Sequence, residues 1–214
     1  MDPEVIIGQI AHIVSQADNG PRADLAMPPE QRDSIDNLVL LCTEHHLIAD
    51  RQENTYTVAE MTKWKTDHEA AVDQQMEIMA GRMTFAELEI VADAVAVAPL
   101  VATEGFSLTA VRAKMTKNHL TDRVSHDMSV GMLGADLVKD YIVSRATLSP
   151  DFPDRLRGGF LAEYDRLSAL GLSGDDLFLA LRAFVAAPHL DLMRQVAGLA
   201  VLVHLFHICE VFEP

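Results

Sequence analysis

Residues 5–14, Val-Ile-Ile-Gly-Gln-Ile-Ala-His-Ile-Val, form an apolar, β-branched run and predict a buried strand. Residues 15–36 break that pattern. They are polar and rich in turn formers, with Asn19-Gly20-Pro21 and Pro28-Pro29, and predict a long loop. Loops of that length inside compact domains are commonly functional. Residues 37–42, Asn-Leu-Val-Leu-Leu-Cys, predict a second strand. Residues 43–51 predict a short helix, with Thr43 as N-cap and Glu44 in the first turn. After a polar turn at 52–57, residues 58–80 predict a helix with Met61, Trp64, His68, Val72 and Met76 at spacings of three to four. Further helices are predicted at about 84–98, 107–118, 122–146, 152–169, 174–186 and 189–212. Pro99, Gly105, Pro150, Pro153, Gly171, Gly174 and Pro188 punctuate them. No repeat or low-complexity tract interrupts the series. The expected fold class is therefore α+β and mostly helical. A small β-β-α unit with a connecting helix spans 1–80, and an all-α domain spans 81–214, with the boundary near Gly81.

Composition adds limits. The chain has 214 residues, 49% hydrophobic and 23% charged, which is enough to bury a sizeable core. Two cysteines, Cys42 and Cys209, cannot build a disulfide framework or a four-cysteine zinc site. No basic residue precedes an apolar run at the start, so no signal peptide is expected. The longest apolar stretch, Val196 to Val211, is broken by His204, His207 and Glu210 and is short for a span of about 20 residues. No membrane association and a cytoplasmic, reducing location are the expectation. The net charge is −15. Residues 1–80 carry five Lys/Arg against fifteen Asp/Glu, and residues 81–214 carry twelve against seventeen. Duplex affinity rests on basic neutralisation of phosphates, so this balance argues against a free-standing nucleic-acid binder.

The candidate chemistry lies in the most acidic part. Three of the nine histidines, His12, His45 and His46, fall within the first 50 residues. His46 and Asp50 are spaced i, i+4, so on a helix both side chains leave one face, where imidazole and carboxylate can hold a divalent cation. His12 sits near the end of a strand pattern, where a side chain can be aimed at a reacting centre. Asn37 opens the second strand, where its amide can hold the loop or the His12 ring.

The order His, Asn, His across a β-β-α unit resembles the HNH endonuclease family, in its Ala-His-Ile branch. The resemblance spans residues 5–69. It takes in Gly8-Gln9-Ile10-Ala11-His12-Ile13, Gly20-Pro21-Arg22, Arg32, Asn37-Leu38-Val39-Leu40-Leu41-Cys42 and His45-His46 with Asp50. It continues through Tyr56-Thr57-Val58 and Trp64-Lys65 to His68-Glu69. The resemblance implies a ββα-metal fold and metal-dependent cleavage of DNA. His12 would be the general base acting on water, since a neutral imidazole suits proton abstraction near neutral pH. Asn37 would position that base or the loop. His46 would be the metal-binding histidine and Asp50 the final ligand. The implied cofactor is one divalent metal, Mg²⁺ or Mn²⁺, with Ni²⁺ or Zn²⁺ as softer alternatives. Two positions depart from the family pattern. Many relatives carry a ligating Asp or His immediately before the base, where this chain has Ala11; Gln9, Glu44 or water would have to compensate. Many also carry a Cys-x-x-Cys knuckle that holds a structural zinc, of which this sequence has only Cys42 and His45. Two explanations stay open for that: a native start upstream of Met1, or a module stabilised in another way.

Residues 105–214 resemble the C-terminal domain shared by effectors of ABC-three-component defence systems. The resemblance is carried by Lys114-Met115-Thr116-Lys117-Asn118, Val138-Lys139-Asp140-Tyr141-Ile142 and the apolar stretch ending Cys209-Glu210-Val211-Phe212-Glu213. It implies an ABC-type ATPase and a small middle component as partners, with DNA as substrate. A basic partner that holds DNA would reconcile a nuclease motif with an acidic surface, and would keep the enzyme idle when alone. Arg112, Lys114, Lys117 and Arg123 read as a solvated face. His204 and His207 read as buried, hydrogen-bonded groups. The helix around them, apolar nearly all round, reads as packed in a core or in a subunit interface, a homo-oligomer included. Trp64 reads as core, and His68 as a packing or capping residue. Two alternatives stand beside the defence nuclease: an HNH scaffold that serves as an assembly subunit, and a stand-alone restriction-type nuclease.

Overall fold

The structure is a computed structural model that describes residues 8–96, 111–186, 191–208 and 212, without the side chains of Val111 and Arg112. Expectations that fall on residues 5–7, 97–110, 187–190 and 209–211, including the roles of Pro99, Gly105, Pro188 and Cys209, lie outside these. The chain is α+β and mostly helical, with one two-stranded antiparallel sheet among the described residues. It divides into two compact units, Met1–Val72 and Asp73–Pro214.

In the first unit, strand β1 (Gly8–His12) pairs with β2 (Leu38–Cys42), in a register running from Gly8 opposite Cys42 to His12 opposite Leu38. The intervening segment is not structureless. It holds a short helix α1 (Pro29–Arg32) and a 3₁₀ turn over Ile35–Asn37. Helix α2 (Thr43–Arg51) follows β2 directly, and Cys42, not Thr43, is its N-cap residue. Helix α3 (Val58–Ala80) comes next. Successive strand residues point to opposite faces. Ala11 and Ile13 therefore share the face that meets Ala49 and Met61 in a small core, with Val39, Leu41, Tyr56 and Trp64 packed against it. Ile10 and Leu40, paired across the ladder, are 64% and 65% exposed. The strand expected to be buried is thus buried on one face only, because the described helices cover one side of the hairpin.

The expected boundary after residue 80 moves into α3. Met61 of this helix belongs to the small core, whereas Met76 and Ala80 belong to the core of the second unit. One continuous helix serves two cores, which hydrophobic spacing cannot divide.

The second unit contains α4 (Phe85–Val95), α5 (Val111–Lys117), α6 (Ser125–Leu148), α7 (Phe152–Ala169), α8 (Gly174–Ala186) and α9 (Leu192–Ile208). Every residue from Val196 to Phe206 on α9 is buried, so the all-round apolar helix fills the core of its own unit. Helix α6 lies against it at Gly131 and Gly134. A Cβ at Gly131 would fall 2.4 Å from a Val203 methyl, and one at Gly134 would fall 2.8 Å from the Ala200 Cβ. Thr84 and Glu87 close the start of α4 with a reciprocal capping box. No helix among the described residues is long and apolar enough to cross a membrane.

Candidate functional site

Asn37 organises the end of the hairpin. Its Oδ1 accepts from the Val14 amide at 2.8 Å, and its Nδ2 donates to the carbonyls of Val14 at 2.8 Å and Arg32 at 2.7 Å. The backbone ladder continues one step past β1, with the Ile13 amide donating to the Asn37 carbonyl at 2.8 Å. An amide is the side chain that can both accept and donate, so one buried Asn ties the β1 exit to the returning loop. The contacts of Asn37 fall on the backbone after His12 and on the loop, not on the His12 ring.

His12, at the last position of β1, leaves the strand on the face opposite to Ala11. Its side chain is 29% exposed, and Nε2 lies 3.4 Å from Asp33 Oδ1. Gln16 Nε2 donates to the same oxygen at 2.9 Å. With its proton on Nε2 toward the carboxylate, a neutral ring keeps Nδ1 as the acceptor.

On the other face, α2 carries His46 and Asp50. His46 Nδ1 lies 2.9 Å from Gln9 Oε1, and His46 Nε2 lies 3.4 Å from Asp50 Oδ2. The remaining Asp50 oxygen, Oδ1, accepts from Arg22 Nη2 at 2.7 Å. Each member of the pair is therefore braced from behind, His46 by Gln9 and Asp50 by Arg22, as metal ligands are oriented by outer partners. Gln9 supports the ring of His46. Ala11 is fully buried in the core cluster that contains Ala49, so no ligand comes from that position. Among the described residues, no group of three or more His, Cys, Asp and Glu side chains is placed to hold a metal. The donor set fits a cation held by two protein ligands, with water and substrate oxygens supplying the rest.

Arg22 links the two sides. Its Nε donates to the Ile13 carbonyl at 2.9 Å, Nη1 to the Ala49 carbonyl at 2.7 Å, and Nη2 to the His12 carbonyl at 3.3 Å as well as to Asp50. Its backbone has φ +55°, a left-handed conformation that non-glycine residues keep only where the surroundings over-determine it. Arg32, also buried, binds the carbonyls of Met27, Gln16 and Asp24 and the carboxylate of Asp18. Both arginines lie in the turn-rich segment that joins the two strands. Their interior roles, and the pairing of Asp33 with His12, are not legible in sequence, because these partners lie 5 to 28 residues away along an aperiodic path.

Cys42 Sγ lies 3.0 Å from His45 Nδ1 at the start of α2, and both are exposed. The His45 backbone amide, and after it the His45 ring, hold the thiol below its ordinary pKa. The hydrogen bond to Cys42 raises His45 in turn. These two residues form a pair apart from His46 and Asp50. Beside them, a groove of about 610 Å³ is lined by Val39, Leu41, Trp64, Lys65, His45 and His68; His12, Asn37, His46 and Asp50 are not among its walls. Trp64 packs on Tyr56, with ring centroids 5.3 Å apart.

In the second unit the basic cluster is not one solvated face. Lys114 is buried with its ammonium 5.1 Å from the centre of the Phe206 ring, and Arg123 pairs with Asp176. His204 is buried and hydrogen-bonded to the Ala135 backbone; burial pushes its pKa down to about 4. No family model, no curated protein and no solved structure matches the chain.

Proposed function

We propose that the first unit is a metal-dependent HNH-type DNA endonuclease. We further propose that the chain acts as effector of a multi-component anti-phage defence system, gated by an ABC-type ATPase and a small middle component. The observation that carries this reading is the arrangement at the end of β1. A histidine with an orienting carboxylate stands on one face, a braced His46–Asp50 pair stands on the other, and a buried Asn37 and Arg22 bind the backbone between them. In an in-line displacement at phosphorus, the attacking water and the leaving oxygen lie on opposite sides of the phosphate. In this reading His12 would serve the attacking water and the His46–Asp50 pair the leaving oxygen of one phosphate.

His12 takes the proton of the attacking water at Nδ1, and Asp33 holds the ring by Nε2 and stabilises the imidazolium that forms. Asn37 fixes the backbone that follows His12. His46 Nε2 and Asp50 Oδ2 are the atoms that would hold the divalent ion. When bound, that ion supplies charge stabilisation to the phosphate and the leaving 3′ oxygen. An imidazole beside a carboxylate favours Mn²⁺, Ni²⁺ or Zn²⁺ over Mg²⁺ in affinity.

The test is nicking of supercoiled plasmid with Mg²⁺, Mn²⁺ and Ni²⁺ in turn. His12→Ala is expected to lose about 10²–10⁴-fold in rate. The same assay is then run with the ATPase partner and ATP. Silence in every condition would favour the assembly-subunit reading instead. That second reading draws support from Ala11, whose burial leaves the cation pair without a third protein ligand.

A further inference from the structure

We propose that Arg22 cancels the charge of Asp50, so that His46 and Asp50 take a divalent cation firmly only together with a phosphodiester. The inference rests on the hydrolase reading above and adds a rule for loading the site. Asp50 is the one carboxylate in the pair, and Arg22 Nη2 lies 2.7 Å from it, so the two formal charges sum to zero. His46 and its partner Gln9 add none while the ring is neutral. Glu53 accepts from the Arg22 backbone amide, and among the described residues no group of three or more His, Cys, Asp and Glu is placed to hold a metal. Affinity for hard divalent ions follows the count of charged oxygen ligands, and Mg²⁺-type sites with few carboxylates are completed by substrate phosphates.

Arg22 cannot easily step aside for an arriving ion. Its side chain is 3% exposed, and three of its four hydrogen bonds go to backbone carbonyls. The compensation is therefore built into the folded unit and is not a gate. A phosphodiester brings one negative charge and non-bridging oxygens, which restores the anionic field that a divalent ion requires. A site of this kind stays largely without metal until substrate is present.

The experiment is Mn²⁺ binding to the full chain, followed by electron paramagnetic resonance. It is run with and without excess dimethyl phosphate at matched ionic strength, with His46→Ala as the control for binding elsewhere. Dimethyl phosphate is a phosphodiester too small to need the DNA-holding partner. The expected result is weak Mn²⁺ binding by the wild type alone, tightened about tenfold or more by dimethyl phosphate. Arg22→Met is expected to tighten binding without phosphate, on the order of tenfold, through loss of a like charge. Arg22→Lys, which keeps the charge, should bind as the wild type does. If Arg22 served only to brace Asp50, both variants would weaken binding, by about 10–100-fold in the usual range for outer-shell partners, and the proposal would be overturned. Wild-type affinity indifferent to dimethyl phosphate would overturn it equally. Should Arg22→Met fail to fold, Arg22→Lys and the dimethyl phosphate comparison still decide. Plasmid nicking reports separately on the hydrolase reading, so phosphate-linked Mn²⁺ binding without any nicking would sink that reading and leave this inference standing.

Discussion

Asn37 shows what one buried amide can do. Replacing it by Ala leaves the Val14 amide and the carbonyls of Val14 and Arg32 without their partner. Each buried orphan costs about 1–3 kcal/mol, so Asn37→Ala should destabilise the first unit by about 3 kcal/mol or more. Trp64 is the only tryptophan of the chain and lies in that unit, so urea unfolding followed by its fluorescence reads the effect there. His204 gives the clearest pH dependence. Its folded pKa, about 4, lies below the ordinary 6.5, because burial disfavours the charged ring, with His207 adding to the effect. The unfolded state thus binds the extra proton between those values. The stability that this neutral ring contributes is full above pH 6.5 and is lost as pH falls toward 4, by about 3 kcal/mol in all. His204→Gln, which can keep a hydrogen bond to the Ala135 carbonyl without titrating, should flatten that part of the pH profile measured by circular dichroism.

At the scale of elements, the segment between β1 and β2 behaves as a built part of the site. Gly20 permits its tight course, since a Cβ there would fall 2.0 Å from Ser15 Oγ. Arg22 and Arg32 then act as two interior struts. In the second unit the decisive contact is α6 against α9, where glycine lets the two helices close. Gly131→Val would drive a side chain into Val203 and the Leu199 carbonyl. A loss of about 1–3 kcal/mol, or more, is expected from overpacking. A lowered thermal midpoint of the helical signal, with the Trp64 transition unchanged, is the result to look for. Helix α3 shows the limit of reading elements one at a time, because its apolar stripe serves two different cores.

At the scale of the whole molecule, charge bears on the proposed DNA substrate. The basic residues of the first unit do little to offset its acids. Of its five, Arg22 and Arg32 are interior, Lys63 and Lys65 pair with Asp67 and Glu69, and Arg51 is exposed. A chain of net charge −15 repels a polyanion until salt screens it. Association of the isolated protein with duplex DNA should therefore hold level or strengthen as salt rises toward about 0.15 M, where the Debye length is about 8 Å. A nuclease with its own basic groove shows the opposite slope. Adding a basic partner should turn the slope negative; fluorescence anisotropy of a labelled duplex across a salt series would measure both.

Much of this was legible in the chain. The two strands, the short helix after β2 and the helical remainder follow from periodicity and from Gly and Pro punctuation, which are local. His12, Asn37, His46 and Asp50 stood out because a strand end, a strand start and an i, i+4 helix face are defined by short spacings. Gln9 was a lesser candidate, and the structure gave it a partner. Only the tertiary structure decided the rest. Asp33 meets His12 and Arg22 meets Asp50 because an aperiodic loop returns to the hairpin, and no local pattern encodes that path. The burial of Ala11 against α2, the exposure of Ile10 and Leu40, and the division inside α3 likewise depend on which faces find a partner. Local chemistry specifies the elements of this protein; the route of the loop between its two strands specifies which charges stand beside its candidate site.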